Sequence, residues 1–196
     1  MKYMKRAQVY KSNNCYFDPK EMVATSYNWW HFIRRVGGLV VYNNHNYSNT
    51  TRTHQGNVLH VMSQLGINVD LTVDTGASLR DPEAVKFGIK NLCFEIAELM
   101  VMQKYGRLSR ASEIASCEEK IESLLTLQTL DLKYYRVSKK DIKQFIKDSL
   151  VQAESYRIAK LERKKRDRES SEGYIQKQNA KYLVKKLNEE EVQNAA

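Results

Sequence analysis

The densest group of side chains that could do chemistry lies in residues 42–55, which read YNNHNYSNTTRTHQ. Nearly every one of these side chains can donate a hydrogen bond, and the segment follows a short apolar run and precedes a helical pattern. The amides of a helix's first turn point outward and the helix dipole adds partial positive charge, so this junction suits a phosphate or another oxyanion. The residues expected to form an anion or ligand site are His45, Ser48, Thr50, Thr51, Arg52 and His54.

The same junction has a simpler interpretation. Ser48 or Asn49 is a good N-cap and the asparagines suit turns, so the segment would then do no more than begin a helix. It lacks the glycines of a P-loop or of a GxGxxG motif, and it therefore matches no recognised nucleotide-binding fingerprint. From the residues alone, both interpretations of this junction, an anion site and a simple helix cap, stay open.

The histidines raise the question of a metal. His45 and His54, with Asp70 or Asp74 from a later predicted strand, have the donor types of a mixed nitrogen and oxygen site for Mg, Mn or Zn. The hypothesis that follows from such a site is a metal-dependent nuclease. Helical spacing turns His54 inward and His60 to solvent, so these two cannot chelate one ion. We favour His54 as a hydrogen-bonded core residue, and we expect no metal and no other cofactor.

Nucleophilic catalysis has less support. The three cysteines, Cys15, Cys93 and Cys117, are an odd number without a CxxC motif, which argues against a disulfide framework and favours a reducing compartment. Cys93 and Cys117 fall on apolar helix faces, as core residues do. Because no GxSxG, HExxH or paired-carboxylate spacing is present, we expect no catalytic residue and favour a non-enzymatic protein.

The charge distribution gives more information about binding partners than the motifs give about catalysis. The chain has 32 Lys and Arg against 23 Asp and Glu, a net charge of +9, and residues 133–196 alone contain 17 basic and 10 acidic side chains. Such an excess of basic side chains is typical of proteins that bind polyanions, and nucleic acid is the first polyanion to consider. The alternative is a solvated helix face that pairs its own charges, because acidic residues are interleaved. The expected nucleic-acid-binding residues are Lys160, Arg163, Lys164, Lys165, Arg166 and Arg168.

The elements that must position these residues follow from local patterns. Residues 39–43 form an apolar run that predicts a strand, residues 50–65 have the i, i+3, i+4, i+7 spacing of a helix, and residues 67–74 alternate as a half-buried strand does. Together they predict a β-α-β element. A further strand is expected near residues 7–10.

Helices are expected over most of the remaining chain. The two Asp-Pro dipeptides resemble helix starts, because Asp can cap and Pro suits the first helical position. They predict helices over residues 19–35 and 82–105, and apolar spacing predicts another over residues 109–130. A long helix opens near residue 139 and is expected to break at residues 170–173, where Ser, Glu and Gly interrupt the pattern.

The expected fold is therefore α+β and predominantly helical. A small two- to three-stranded sheet with the β-α-β element packs on helices, and a long basic C-terminal helical extension follows. We expect a globular domain over residues 1–135 and the extension over residues 136–196. No apolar run has the length of a membrane span and no apolar stretch follows the first residues, so neither a membrane helix nor a secretory signal is expected and a cytoplasmic location is favoured.

These patterns favour a non-enzymatic nucleic-acid-binding accessory protein, in which the basic extension contacts phosphates and the junction makes a more specific contact. The first alternative is a helical assembly protein that oligomerises or docks on a protein partner. The second is the metal-dependent nuclease. In size and residue usage the chain resembles small accessory proteins of phages and mobile elements, a resemblance that rests on no particular residue.

Overall fold

The architecture is known from a computed structural model, which describes residues 10–12 and 14–194, with side chains as far as Tyr182 apart from that of Ser12. Over these residues six strands form one mixed sheet in chain order, each antiparallel to the next except for the last, parallel pair. The strands are β1 (Tyr10–Ser12), β2 (Cys15–Asp18), β3 (Val23–Ser26), β4 (Trp30–Val36), β5 (Leu39–Asn43) and β6 (Leu71–Val73). The helices are α1 (Asn49–Gln64), α2 (Ala84–Tyr105), α3 (Ala111–Leu130) and α4 (Lys139–Asn194).

The β-α-β element is confirmed. β5 leads through α1 to β6, and the two strands pair in parallel with Val41 opposite Leu71 and Asn43 opposite Val73. The amide of Asn44 continues the ladder by donating to the carbonyl of Val73 at 2.9 Å. Because the strands are parallel, the segments that follow β5 and β6 meet at one edge of the sheet.

The helix predicted over residues 19–35 is wrong, because this segment contains β3, β4 and the turns beside them. The Asp18 carboxylate caps a turn rather than a helix, accepting from the amides of Lys20 at 2.8 Å and Glu21 at 3.3 Å. In β4, Trp30 and Phe32 are buried with half-buried His31 between them, which is the two-residue period of a strand. The expected sheet of two or three strands is accordingly too small.

The helical part of the prediction is largely confirmed. α1, α2 and α3 begin and end within two residues of the expected positions, and α4 begins at Lys139 as expected. The expected break at residues 170–173 is wrong, because α4 continues through it. β6 is shorter than the strand expected at residues 67–74, and of the strand expected near residues 7–10 only Tyr10 lies among the described residues.

Two apolar clusters hold the sheet and its helices together. One joins β2, β3 and β4 to α1, and the other joins parts of β5 and β6 to α2 and α3. The largest buried side chains of the first are Phe17, Trp30, Phe32, Ile33, Met62 and Val58, and those of the second include Val41, Ile89, Leu124 and Leu127. α1 is therefore fixed against one part of the sheet and α2 and α3 against another.

The chain separates into two compact units, Met1–Leu150 and Val151–Ala196. The first contains the sheet, α1 to α3 and the first turns of α4, and the second contains the rest of α4. The domain boundary predicted between residues 135 and 136 stays a prediction. Among the residues described, no helix combines the length and apolarity needed to cross a membrane.

Candidate functional site

The carboxyl ends of β5 and β6 bring a histidine and an aspartate together. The Nδ1 of His45 lies 2.9 Å from Oδ1 of Asp74, and because a carboxylate only accepts, this nitrogen carries the proton and donates it. Lys120 of α3 donates to the other carboxylate oxygen at 3.2 Å. The hydrogen bond from His45 and then the contacts with Lys120 hold the pKa of Asp74 below its usual value in spite of partial burial. Asp74 therefore stays ionised at neutral pH and ties the sheet edge to α3.

Asn43 fixes the backbone around this pair. Its buried amide nitrogen donates to the carbonyls of Thr75 at 2.8 Å and Ala77 at 3.0 Å, and its amide oxygen accepts from the backbone amides of His45 and Thr75. From α1, the Gln55 amide donates to the carbonyls of Asn43 at 2.8 Å and His45 at 3.2 Å. Asn43 was not singled out from the sequence, although an Asn that ends an apolar strand is a signal for such a role.

The start of α1 is capped by Ser48. Its hydroxyl oxygen accepts from the amide of Thr51 at 3.1 Å, and the hydroxyl donates to the Thr51 hydroxyl oxygen at 3.0 Å. Thr51 is buried, whereas Thr50 and Arg52 are exposed. Of the residues predicted for an anion site, Ser48 and Thr51 thus form the helix cap, and Thr50 and Arg52 present their side chains to solvent.

The other predicted ligands lie elsewhere. His54 is 6% exposed and its Nδ1 is 2.8 Å from the hydroxyl oxygen of Ser26, which is the core role favoured for it. Asp70 accepts from the amide of Val40 at 2.7 Å, at the opposite end of the parallel pair from Asp74. Within the described part of the chain, no three His, Cys, Asp or Glu residues form a group that could hold a metal ion. His45 and Asp74 therefore meet without the further ligands that the nuclease hypothesis needs.

The cysteines are buried core residues. Burial raises the pKa of the Cys15 and Cys93 thiols to about 11, so both are protonated at neutral pH. The pKa of Cys117 is raised as well, first by burial and then by Glu95. A thiol in this state is a poor nucleophile.

The turn between β3 and β4 presents aromatic rings that the sequence prediction had placed in a helix. Tyr27 is 39% exposed and Trp29 is 53% exposed, while Trp30 is 1% exposed. Tyr47, from the loop before α1, is 52% exposed and its ring centroid lies 5.7 Å from that of Trp29. We call Tyr27, Trp29 and Tyr47 the aromatic cluster. The adjacent tryptophans were the available signal, because consecutive residues at the start of a strand face opposite ways.

The basic run lies on α4, where every side chain from residue 158 to residue 172 is exposed. Lys165 pairs with Glu169 at 3.9 Å, and Arg168 pairs with Glu172 at 3.0 Å. The ion pairs of the described side chains include none to the other four predicted cations, which are Lys160, Arg163, Lys164 and Arg166. Ion pairs within α4 therefore involve two of the six predicted cations.

The molecule thus presents two candidate surfaces. One is the exposed cationic stretch of α4, and the other is the junction before α1 with the aromatic cluster beside it. Each is described within its own unit of the chain. Comparisons of the chain with protein-family models, with curated proteins and with solved structures found no match.

Proposed function

We propose that the protein binds nucleic acid through α4 as a non-enzymatic accessory protein. The observation that carries this proposal is the set of four exposed cations, Lys160, Arg163, Lys164 and Arg166, to which no carboxylate of the described residues is paired. Cations of this kind displace counterions from a phosphate backbone, which gives an affinity that falls steeply with salt.

The helix itself concentrates part of this charge. At about 100° per residue, Lys160, Arg163 and Lys164 fall within roughly 100° of one another around the helix axis. α4 is helical throughout residues 160–164, which keeps the three cations in this arrangement. A narrow cationic stripe on a rigid helix suits a phosphate backbone better than the same charges on a flexible tail, which would lose more conformational entropy on binding.

The junction before α1 is proposed as the second and more selective contact. Asn44, Asn46, Thr50 and Arg52 are exposed there, and their side chains supply amide, hydroxyl and guanidinium donors. Such groups can read base edges as well as phosphates. The hydrogen bonds of Asn43 support this role because they fix the backbone at the start of the loop, at His45, and in the facing segment at Thr75 and Ala77.

The proposal is tested by removing the charges of these four residues, Lys160, Arg163, Lys164 and Arg166, in the full chain. We expect the variant in which all four are changed to Gln to bind single- and double-stranded DNA and RNA more weakly at moderate salt. Its plot of log affinity against log salt should be shallower by roughly 3, since each lost phosphate contact removes about 0.7–0.9 from the slope. Fluorescence anisotropy with labelled oligonucleotides at several salt concentrations measures both quantities.

A matched variant controls for net charge. Four exposed lysines in the first turns of α4 can be changed to Gln with the same loss of four charges; they are Lys139, Lys140, Lys143 and Lys147. We expect this control to keep most of the salt slope of the unmodified chain. Equal effects of the two variants, or no effect of either, would contradict the assignment of binding to residues 160–166.

A second candidate function is assembly with another protein or with further copies of the chain. It is favoured by large apolar side chains that are exposed along α4, which are Val151, Tyr156, Ile158, Leu161, Tyr174, Ile175 and Tyr182. Light scattering across a range of concentrations tests it. A stable oligomer that shows no anisotropy change with any oligonucleotide at low salt would favour assembly over nucleic-acid binding.

A further inference from the structure

We propose that the aromatic cluster, Tyr27, Trp29 and Tyr47, is a stacking platform for the unpaired bases of a single-stranded nucleic acid. The inference rests on the proposed function, because it assumes that the polyanion is a nucleic acid. It adds a base-contacting surface in the first unit and a preference for single strands over duplexes.

All three rings are exposed, and those of Trp29 and Tyr47 are in contact. About half of the surface of Trp29 and of Tyr47 faces solvent, and their ring centroids are 5.7 Å apart with an interplanar angle of 82°. Grouped aromatic surface of this size on a folded unit is typical of a binding site, because its exposure is unfavourable in water. Bases stack on such rings with about 1–3 kcal/mol each, whatever the base.

The core holds Tyr47 in place. Its ring lies against buried Trp30, with centroids 6.1 Å apart at 31°, and Trp30 in turn stacks on buried Phe32 with centroids 5.6 Å apart at 27°. The indole nitrogen of Trp30 is the one buried side-chain donor or acceptor without a hydrogen-bond partner among the residues described. The ring on which Tyr47 packs thus contains an unsatisfied polar donor.

Hydrogen bonds fix the backbone of the turn that carries the other two rings. The hydroxyl of Ser78 donates to the carbonyl of Trp29 at 3.3 Å, and the amide of His31 donates to the Ser78 hydroxyl oxygen at 3.0 Å. The amide of Tyr27 donates to the carbonyl of Asn14 at 2.6 Å. Rings presented on a fixed turn lose little conformational entropy when a ligand stacks on them.

The charge of this surface fits an anionic ligand. Three segments that contact one another form it, residues 26–31, 44–52 and 76–80, and their only formally charged residues are Arg52 and Arg80. The nearby Asp74 carboxylate accepts a hydrogen bond from His45 and is paired with Lys120. A nucleic-acid strand would meet aromatic faces and amide donors there, and the three segments contain no carboxylate.

Stacking on the cluster requires bases whose faces are free. In a duplex each base face is covered by its neighbours, so a protein ring can reach it only after unstacking that costs a few kcal/mol. The basic stretch of α4 contacts phosphates, which both forms offer. The aromatic cluster is therefore the part of the molecule that would distinguish single-stranded from double-stranded nucleic acid.

The test uses the two tryptophans of the full chain, one exposed and one buried. Titration with oligothymidylate of about 12 nucleotides, within the usual range of single-strand site sizes, should quench the emission of Trp29. The Trp29→Ala variant should lose this quenching and bind the same oligonucleotide about ten-fold more weakly, with an unchanged salt slope. Trp29→Phe should recover part of the affinity, and duplex binding should change less than two-fold in both variants.

Tyr135→Ala is the matched control, since Tyr135 is an aromatic residue of the same unit, 55% exposed, and outside the three segments. It should bind like the unmodified chain. The inference is overturned if Trp29→Ala binds oligothymidylate as tightly as the unmodified chain, or if duplex affinity falls equally. In either case a loss of binding in the α4 variant would leave the proposed function standing, whereas failure of the unmodified chain to bind any oligonucleotide at low salt would remove both.

Discussion

Gly88 of α2 shows how closely individual residues are packed behind the sheet edge. A Cβ at this position would lie 2.8 Å from a methyl carbon of Leu124 and 3.1 Å from the Asp74 carbonyl oxygen. We expect Gly88→Ala to lower the free energy of unfolding by about 1–3 kcal/mol, because the extra methyl group overpacks the contact between α2, α3 and the loop after β6. Urea denaturation followed by circular dichroism measures the change.

Gly56 of α1 is a position at which an added methyl group should stabilise the fold. A Cβ there meets nothing within 4 Å. Gly56→Ala should therefore raise the free energy of unfolding by about 0.5–1 kcal/mol through the better helix propensity of Ala. If Gly88→Ala is as stable as Gly56→Ala, the packing of α2 against α3 described above is incorrect.

The ion pairs of Asp74 predict a dependence of stability on pH. Its pKa is 3.8 in the absence of interactions and is lower in the folded chain, mainly because His45 donates a hydrogen bond to it. A lowered carboxyl pKa stabilises the fold above the unfolded value, and this contribution is lost as the pH falls through the folded value. At pH 7, Asp74→Asn should lower the free energy of unfolding by roughly 1 kcal/mol.

The comparison across pH isolates this residue from the other carboxylates. The difference between Asp74→Asn and the unmodified chain should shrink as the pH is lowered from 7 to below 3.8. Asp148→Asn, a change at an exposed carboxylate of α4, should shift stability by less than about 0.5 kcal/mol at any pH. A difference for Asp74→Asn that stays constant with pH would show that the ion pairs contribute nothing.

Single residues were predictable from the sequence where their neighbours are close in the chain. Helical spacing alone placed His54 inward and His60 outward, and both positions agree with the structure. The role of Asn43 could not be found in this way, because its amide bonds the backbone of Thr75 and Ala77, more than 30 residues away. Such a contact depends on the pairing of β5 with β6, which no local pattern specifies.

At the scale of elements, α1 to α3 were predictable because their backbone contacts are local in the chain, whereas the antiparallel strands depend on more distant residues. The helices have apolar residues at helical spacing and make their backbone hydrogen bonds within themselves. β2, β3 and β4 depend on partners in neighbouring strands. The Asp-Pro pair at residues 18–19 resembles a helix start, although no helix follows it. A helix over residues 19–35 would have bulky side chains on all sides, which indicates that a strand pattern fits this segment better.

The continuity of α4 is testable at Gly173, which the sequence had suggested as a breaking point. Gly173 lies inside the helix and a Cβ there meets nothing within 4 Å. Gly173→Ala should therefore increase helical content and raise local helix stability by about 1 kcal/mol. Gly173→Pro should reduce helical content by removing a backbone donor. Far-ultraviolet circular dichroism measures both, and an unchanged signal in both variants would mean that the helix already ends before this position.

At the scale of the whole molecule, the two candidate surfaces differed in how far the sequence could predict them. The cations of α4 form a surface through helical spacing alone, so their number and exposure followed from composition and local pattern. The aromatic cluster joins a hairpin turn to a loop 18 residues later, and it exists only because β3, β4 and β5 are neighbours in one sheet.

The exposure of α4 predicts where the full chain is first cut by trypsin. All side chains from residue 158 to residue 172 are exposed, and they include six Lys and Arg residues at which trypsin cleaves. Segments with little buried apolar surface open locally at low cost in free energy. We expect the first cuts in this stretch, before any within the sheet-containing unit, with mass spectrometry of the fragments as the measurement.

The same digestion reports on the nucleic acid bound there. An oligonucleotide that lies along the cations should slow these first cuts, and the protection should vanish in about 1 M salt, where the Debye length is only about 3 Å. Digestion of casein in the same mixtures separates protection of α4 from inhibition of trypsin. Because the cut sites are themselves the residues proposed to contact phosphates, equal cleavage rates with and without oligonucleotide at low salt would place the binding surface elsewhere on the molecule.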